Sequence, residues 1–312
     1  MNRLPKCLLF FAYFILTACH SPRDFKKEGG VRYVLEMDPA EYSEAAKQEC
    51  MRVLAKRINL MEVADVTLTN GEKPGQIIVE IPGKQDLQRI RKALLNSAKL
   101  AFYETYENEE LYPQLAAMED GFTLFELLHP ALARDENTEE KPMPGPALGF
   151  SVEKDTAAVN ALLRKQPVKE QFPMVKFLWT AWPDKLTHAF TLVGIRVNKR
   201  GEAALTGNII KEARRETEPQ NDRPIISITM NEDAAVKWAA ITRNNVNKCI
   251  AIVIDDQVTS YPMVQSEIKG GACVISGDFT AAEVDDLVNV LRAGDLQFRL
   301  RIMSEEIVPP QK

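Results

Sequence analysis

The residue types that most often carry catalysis or bind metal are few in this chain and lie far apart. The three histidines, His20, His129 and His188, show no H-x-x-x-H pattern and no Cys-His spacing of the kind that builds a structural zinc site. A G-x-S-x-G nucleophile motif and a P-loop are also missing from the sequence. The residues therefore predict no catalytic site, no metal site and no cofactor.

Adjacent acidic residues at Asp255-Asp256 come nearest to a carboxylate pair for acid–base chemistry. They separate an apolar strand-like run, residues 250–254, from an extended segment at 258–264. Aspartate is common in tight turns because its side chain bonds to nearby backbone and it tolerates a left-handed conformation. The position therefore favours a hairpin turn over a catalytic pair.

Aromatic side chains around Pro183 are the more informative feature. Phe177, Trp179 and Trp182 cluster here, next to a predicted loop. Two alternatives stay open: the three side chains pack in a core, or they form an apolar surface that contacts an unfolded polypeptide or a partner protein, since an exposed apolar patch is typical of interaction sites. A second apolar patch, with the same two alternatives, consists of Phe122, Leu124, Phe125, Leu127 and Leu128.

Hydrophobic periodicity predicts the elements that position these residues. The first third reads strand 31–37, helix 41–59, strand 63–69, strand 76–81, helix 85–97 and strand 99–105. This β-α-β-β-α-β order is that of the ferredoxin-like unit. The following elements are predicted beyond a proline-rich loop at 142–146: helix 155–163, strands 175–179 and 190–197, helix 205–215, strand 224–230, helix 232–246, strands 250–254, 258–264 and 273–276, helix 280–292 and strand 296–302. The sequence predicts an α+β fold.

Composition and the amino terminus limit the class of protein. Of 312 residues, 45% are hydrophobic and 27% are charged, with a net charge of −5 and no basic stripe, which favours a globular chain that does not bind nucleic acid. Arg3 and Lys6 precede an apolar run at 7–16, which is shorter than the roughly 20 residues a membrane-spanning helix needs. The run predicts a signal peptide at 1–18.

The residues L-T-A-C that end at Cys19 resemble the lipobox of bacterial lipoproteins. That resemblance implies acylation of Cys19, a lipid anchor and a polar tether over 19–30; the alternative is an ordinary signal peptide or signal anchor with an incidental cysteine. Beyond Cys19 lie Cys50, Cys249 and Cys273. A Cys249–Cys273 disulfide and buried free thiols are both open.

Several segments resemble SecD, a membrane-embedded accessory of the Sec protein-export channel, or its fused form SecDF. The matching segments are residues 29–36 (GGVRYVLE), Arg57 and Asn59 in an R-x-N pattern, 78–83 (IVEIPG), 100–107 (LAFYETYE), 175–179 (VKFLW), 193–212 and 248–294. They occur in order with SecD-like spacing. The resemblance implies the first extracytoplasmic (P1) domain, with a ferredoxin-like base at 31–107 and 279–303, an inserted α+β head at 108–278 and a polar tail at 304–312.

The resemblance also implies a function. In the family, the head contacts emerging polypeptide and changes orientation relative to the base. No apolar run after Ala18 reaches eighteen residues, so the sequence predicts a stand-alone outer domain that lacks the transmembrane region.

Two functions follow from these expectations. The first is a non-enzymatic, lipid-anchored accessory of Sec-dependent export at the periplasmic face of the cell envelope. It would bind a translocating polypeptide or a Sec partner through Phe177, Trp179 and Trp182. The alternative is a lipoprotein of envelope assembly that keeps the P1 fold without an export role.

Overall fold

The computed structural model describes residues 24–311 except 62, 64, 135–138, 220 and 297. The predicted α+β class is confirmed. The helices are α1 Phe25–Glu28, α2 Glu44–Leu60, α3 Leu87–Leu95, α4 Asn108–Ala116, α5 Gly121–Leu127, α6 Glu153–Leu163, α7 Gln166–Gln171, α8 Glu232–Asn244 and α9 Ala281–Ala293. The strands are β1 Gly30–Met37, β2 Thr67–Asn70, β3 Gln76–Pro82, β4 Leu100–Glu104, β5 His129–Pro130, β6 Leu132–Arg134, β7 Glu140–Pro142, β8 Ala147–Val152, β9 Val175–Trp179, β10 Ala189–Arg196, β11 Leu205–Thr206, β12 Ile210–Thr217, β13 Pro224–Met230, β14 Ile250–Ile254, β15 Gln257–Ser260, β16 Ala272–Ile275 and β17 Leu300–Val308.

The base is a four-stranded antiparallel sheet in the order β17-β1-β3-β2. With β17 counted as the fourth strand, this is the ferredoxin-like arrangement. In β1 every second residue is buried, and these side chains share one core with the buried faces of α2 and α3. Alternation of this kind is expected of a sheet with one face covered by helices.

The strand predicted at 99–105 does not complete the base. It forms β4, which lies in another sheet between β11 and β14. Both faces of β4 are buried, because Leu100 and Phe102 lie in one core whereas Ala101 and Tyr103 lie in another. A strand apolar on both faces belongs inside a structure covered on both sides, and the more polar β17 takes the edge of the base.

The central unit of the insert combines the β11-β4-β14-β15 sheet with the β12-β13-β16 sheet and helices α8 and α9. Here the helix predicted at 205–215 is wrong, because this segment holds β11 and most of β12. Its Glu, Ala, Arg and Lys residues favour a helix in isolation, but pairing along the apolar strand β13 overrides that preference. The final helix α9, expected in the base, buries Val284, Val288 and Leu291 in this central core.

An outer unit is built on the β5-β8-β10-β9 sheet, which packs against helices α4 to α7. A smaller apolar cluster joins this sheet to the central one through Leu178, Val193 and Val253. Strand β9 pairs with β10 and forms the edge of its sheet. The sequence expectation of one undivided head at 108–278 therefore covers two cores.

The ends of the described chain pack together. Phe25 in the segment expected to be a tether is buried, and the N–H of Gln311 donates to the carbonyl of Lys26 at 3.0 Å. In the expected polar tail, β17 continues to Val308, which pairs with Gly30. The pairing accommodates polar residues because Glu305 makes an ion pair with Arg91 at 2.5 Å. The predicted signal peptide and Cys19 lie outside the described residues. In the described part of the chain, no helix has the length and apolar character needed to cross a membrane.

The structure contains Cys50, Cys249 and Cys273 as buried free thiols, so the disulfide alternative is not the one observed. Burial raises the pKa of the Cys50 thiol to about 11 and of the Cys273 thiol to about 12, and it also raises the pKa of Cys249.

These thiols should resist alkylation in the folded protein. With iodoacetamide at about pH 8, peptides containing Cys50, Cys249 and Cys273 should be modified only after denaturation, as read by mass spectrometry. The raised pKa values also make stability depend on pH, because the folded chain holds the thiol protons more tightly than the unfolded chain. The resulting contribution to the free energy of unfolding is fully present below the unfolded thiol pKa of about 8.5 and is lost as the pH rises through the folded pKa values. Rapid labelling of any of the three in the native chain would contradict this packing.

Candidate functional site

Strand β9 presents Phe177 and Trp179 on one face, since alternate residues of a strand point the same way. Both side chains are half-buried against the outer core. The Phe177 ring meets Phe172 edge-on, with centroids 6.5 Å apart, and the indole N–H of Trp179 donates to Oδ1 of Asn160 at 3.0 Å. We call the adjoining space of about 590 Å³ the outer groove; helices α6 and α7, strand β9 and residues 255–257 line it.

Trp182 lies elsewhere, at the junction of base and insert. Its ring meets Phe279 edge-on with centroids 4.6 Å apart, against the central core. We call the cavity of about 240 Å³ at this position the inner groove; residues of α3 and α9 line it. The predicted cluster of three aromatics is thus divided, with Phe177 and Trp179 in one groove and Trp182 in the other.

The turn between β14 and β15 lies between the two grooves. Asp255 and Gln257 line both of them. Asp255 and Asp256 both have positive φ, as the expected hairpin turn requires. Their carboxylates have separate partners, because Asp256 makes an ion pair with Lys176 at 2.6 Å whereas Asp255 binds backbone N–H groups. This arrangement is that of a structural turn.

The charged rims of the two grooves differ. At the inner groove, Arg89 makes an ion pair with Asp286 at 2.6 Å, and this hydrogen-bonded contact raises the pKa of the arginine. At the outer groove, Arg164 and Lys169 line the wall and neither makes an ion pair with a described residue. The outer groove therefore combines apolar rings with two positive charges that lack an ion-pair partner among the described residues, and the carboxylates of Asp255 and Asp256 reduce its net positive charge.

The apolar patch at residues 122–128 forms helix α5 and its carboxyl-terminal cap. Leu124 and Leu128 are buried in the outer core, and Phe125 and Leu127 pack against it. Phe122 alone of the five projects outward, with 77% of its surface exposed. This patch follows the core-packing alternative.

Sequence reasoning gave no role to Arg57, which is fully buried. Its guanidinium donates to the carbonyls of Ala93 at 3.1 Å, Ser97 at 2.9 Å and Gly294 at 3.0 Å, and also to that of Asn96. These carbonyls lie in the last turn of α3 and just after it, where the chain leaves the base, and just after α9, where the chain returns. Desolvation lowers the pKa of Arg57 to about 10. Arg57 therefore forms hydrogen bonds to both of the chain segments that connect the base to the insert.

Asp255 holds the same junction from the other side. Its carboxylate accepts from the backbone N–H groups of Ala98 at 3.2 Å and Lys99 at 3.0 Å, and from the Ser97 hydroxyl. The sequence spacing around Arg57 did indicate its burial. Arg57 follows Leu54 by three residues and Val53 by four, so it lies within the apolar stripe of α2, where a charged side chain must find buried partners.

Comparison with known proteins identifies the architecture. Residues 47–107 match the family model of the amino-terminal part of the SecDF P1 domain, and residues 187–298 match that of the SecDF P1 head subdomain. A solved SecDF in its super-membrane-facing form aligns with 90% of this chain and 30% of its own, with a TM-score of 0.57 and 24% identity. The described fold is that of a SecDF P1 domain. The head match includes α9, in agreement with its packing in the insert.

Relatives with this domain are longer than the chain. It is 31% identical to the protein translocase subunit SecD of Rhodothermus marinus over 304 residues, which span 86% of this chain and 48% of the relative. It is 27% identical to the SecDF subunit of Thermus thermophilus, over 91% of this chain and 31% of the relative. The chain thus spans about half or less of these relatives. A second SecDF structure, described as a membrane component that enhances protein export, has a TM-score of 0.54 and 24% identity over 88% of this chain and 98% of its own.

Proposed function

We propose that this protein is a non-enzymatic accessory of Sec-dependent protein export that binds translocating polypeptide. The observation that carries the proposal is the position of Phe177, Trp179 and Trp182. They are partly exposed aromatic residues that line two grooves sharing Asp255 and Gln257. Apolar rings in a groove can bind unfolded segments of many sequences, because the burial of apolar surface is non-directional and requires no particular sequence.

The comparisons support the export setting. The relatives are named as protein translocase subunits, and one similar structure is described as enhancing protein export. The export channel and the chains passing through it are accordingly the partners we propose. The head and base of this chain would meet them on the outer side of the membrane.

The tryptophans should contribute most of the affinity for polypeptide. Trp179→Ala should weaken binding of a segment held in the outer groove by roughly tenfold, and Trp182→Ala should do so for a segment held in the inner groove, because buried tryptophan anchors dominate the energy of interfaces. Fluorescence anisotropy of a labelled ten-residue peptide of alternating valine and threonine with glutamates at its ends gives the affinity. Phe122→Ala, which changes an exposed ring outside both grooves, is the matched control. Equal affinity for all these variants and the parent chain would reject the grooves as the binding site.

We also propose that Cys19 carries the lipid anchor. A short basic segment, an apolar run at 7–16 and the residues L-T-A-C support this assignment. Cells that express the chain with an alkyne analogue of palmitate should label it, and Cys19→Ser should abolish the label and release the protein from membranes. Two or more acyl chains hold a protein firmly, at about 0.8 kcal/mol per buried methylene. Undiminished labelling of Cys19→Ser would overturn the assignment.

A further inference from the structure

Along Val175–Leu178, one edge of strand β9 has no partner among the strands that the structure describes. On its other edge, the N–H of Thr180 donates to Thr191 at 2.9 Å and the N–H of Val197 donates to Met174 at 3.0 Å. In an antiparallel pair, hydrogen-bonded and non-hydrogen-bonded residues alternate. The even-numbered residues of β9 therefore bond to β10, and the odd-numbered residues point their backbone groups away from it.

The outward groups of β9 are satisfied only at its ends. The N–H of Val175 donates to the carbonyl of Phe172 at 3.1 Å, and beyond the strand the N–H of Ala181 donates to Val258 at 2.9 Å. Between these points, the C=O of Trp179 accepts from the N–H of Val258, as the parallel bridge at Thr180 requires, whereas the N–H and C=O of Phe177 and the N–H of Trp179 make no hydrogen bond with a described residue. Two donors, at the two-residue spacing of an extended chain, and one acceptor thus remain open on these two residues.

These backbone groups border the outer groove. Among the described residues, strand β15 pairs with this edge through one isolated parallel bridge, from Thr180 to Val258, and the Asp255-Asp256 turn connects it to β14. The remaining wall of the groove comes from α6 and α7, with Arg164 and Lys169 at its rim. An open edge with aromatic side chains beside it is the arrangement that binds peptides by strand addition.

We propose that an extended polypeptide segment binds in the outer groove as an additional strand on β9. Its backbone bonds to the N–H and C=O of Phe177 and to the N–H of Trp179, and its alternate apolar side chains pack beside those two rings. Cationic side chains outnumber carboxylates in the groove wall, so acidic residues flanking the segment are favoured over basic ones. This inference rests on the proposed function and specifies how polypeptide is held there.

Amide hydrogen exchange measured by NMR on the full chain separates this binding mode from side-chain contact alone. The probe is the glutamate-flanked valine–threonine peptide. At saturation it should slow exchange of the Phe177 and Trp179 amides roughly tenfold or more, and leave Leu178 unchanged because that amide already bonds to β10. Binding without slower exchange at 177 and 179 would overturn strand addition while leaving the proposed function intact. Failure of the peptide to bind would overturn both.

Proline substitution tests the proposed hydrogen bond from the N–H of Phe177 to the peptide. Phe177→Pro removes an outward N–H without removing a bond to β10, and edge strands tolerate proline on the open side. It should weaken peptide binding clearly more than Phe177→Ala, which removes the ring but keeps the N–H. Equal peptide affinities of Phe177→Pro and Phe177→Ala would contradict strand addition on β9.

Modified peptides test the same hydrogen bonds without any change to the protein. N-methylation of alternate residues in one register should abolish binding, whereas methylation in the other register should preserve it, because only one set of amides faces β9. A lysine-flanked peptide should bind more weakly than the glutamate-flanked one. Tolerance of N-methylation in both registers would overturn the proposal.

Discussion

Arg57→Met should lower the free energy of unfolding by about 3 kcal/mol or more, because buried carbonyl groups that lose their donor keep the cost of desolvation. The guanidinium of Arg57 reaches four carbonyls, from Ala93, Asn96, Ser97 and Gly294. Methionine fills much of the same volume but donates no hydrogen bond. Urea unfolding followed by circular dichroism gives the difference.

Arg52→Met is the matched control for this change. Arg52 lies on the same helix, but it is exposed and pairs with Glu49 at 2.5 Å. An exposed pair of this kind contributes about 0–1 kcal/mol. Arg57→Lys should recover little of the stability, since an ammonium group cannot reach divergent carbonyls as the planar guanidinium does. Equal losses at 52 and 57 would show that the junction does not depend on Arg57.

Asp255→Ala should lower the free energy of unfolding by about 2–3 kcal/mol, because the carboxylate makes charge-assisted hydrogen bonds. It accepts from the N–H groups of Ala98 and Lys99 and from Ser97, where the chain passes from α3 to β4. Exchange of the Ala98 and Lys99 amides should also become faster, which hydrogen exchange resolves residue by residue.

Asp256→Ala provides the comparison at the adjacent position. Asp256 has a similar turn conformation, but its carboxylate makes an exposed ion pair with Lys176. We expect a loss of about 1 kcal/mol or less. If Asp256→Ala were the more damaging change, the junction described for Asp255 would be wrong.

Local sequence patterns predict the helices and strands better than they predict which strands pair and which cores the helices join. Local periodicity is sufficient to locate β1, α2 and α9, because one buried face sets their pattern. It does not show that β4 lies in the insert, since that depends on β14, far along the chain. Likewise, residues 210–217 have the composition of a helix, and only the neighbouring strand β13 makes them β12.

The candidate site shows the same limit. The sequence places Phe177 and Trp179 on a strand and Trp182 beyond it, but their division between two grooves depends on how β9 meets the β14–β15 turn. The open edge of β9 follows from sheet order and register, which no local pattern encodes. Arg57 carried a signal in its spacing, but its four carbonyl partners come from residues 36 to 237 positions away.

Site-specific photocrosslinking in cells tests the proposed function most directly. A photoreactive amino acid replaces Trp179 in the outer groove, or Phe122 on the exposed surface of α5 as the control, and captured proteins are identified by mass spectrometry. The account predicts that position 179, and not 122, captures secreted chains in transit or components of the Sec channel. Capture at 179 of envelope-assembly proteins alone, or equal capture at both positions, would contradict it.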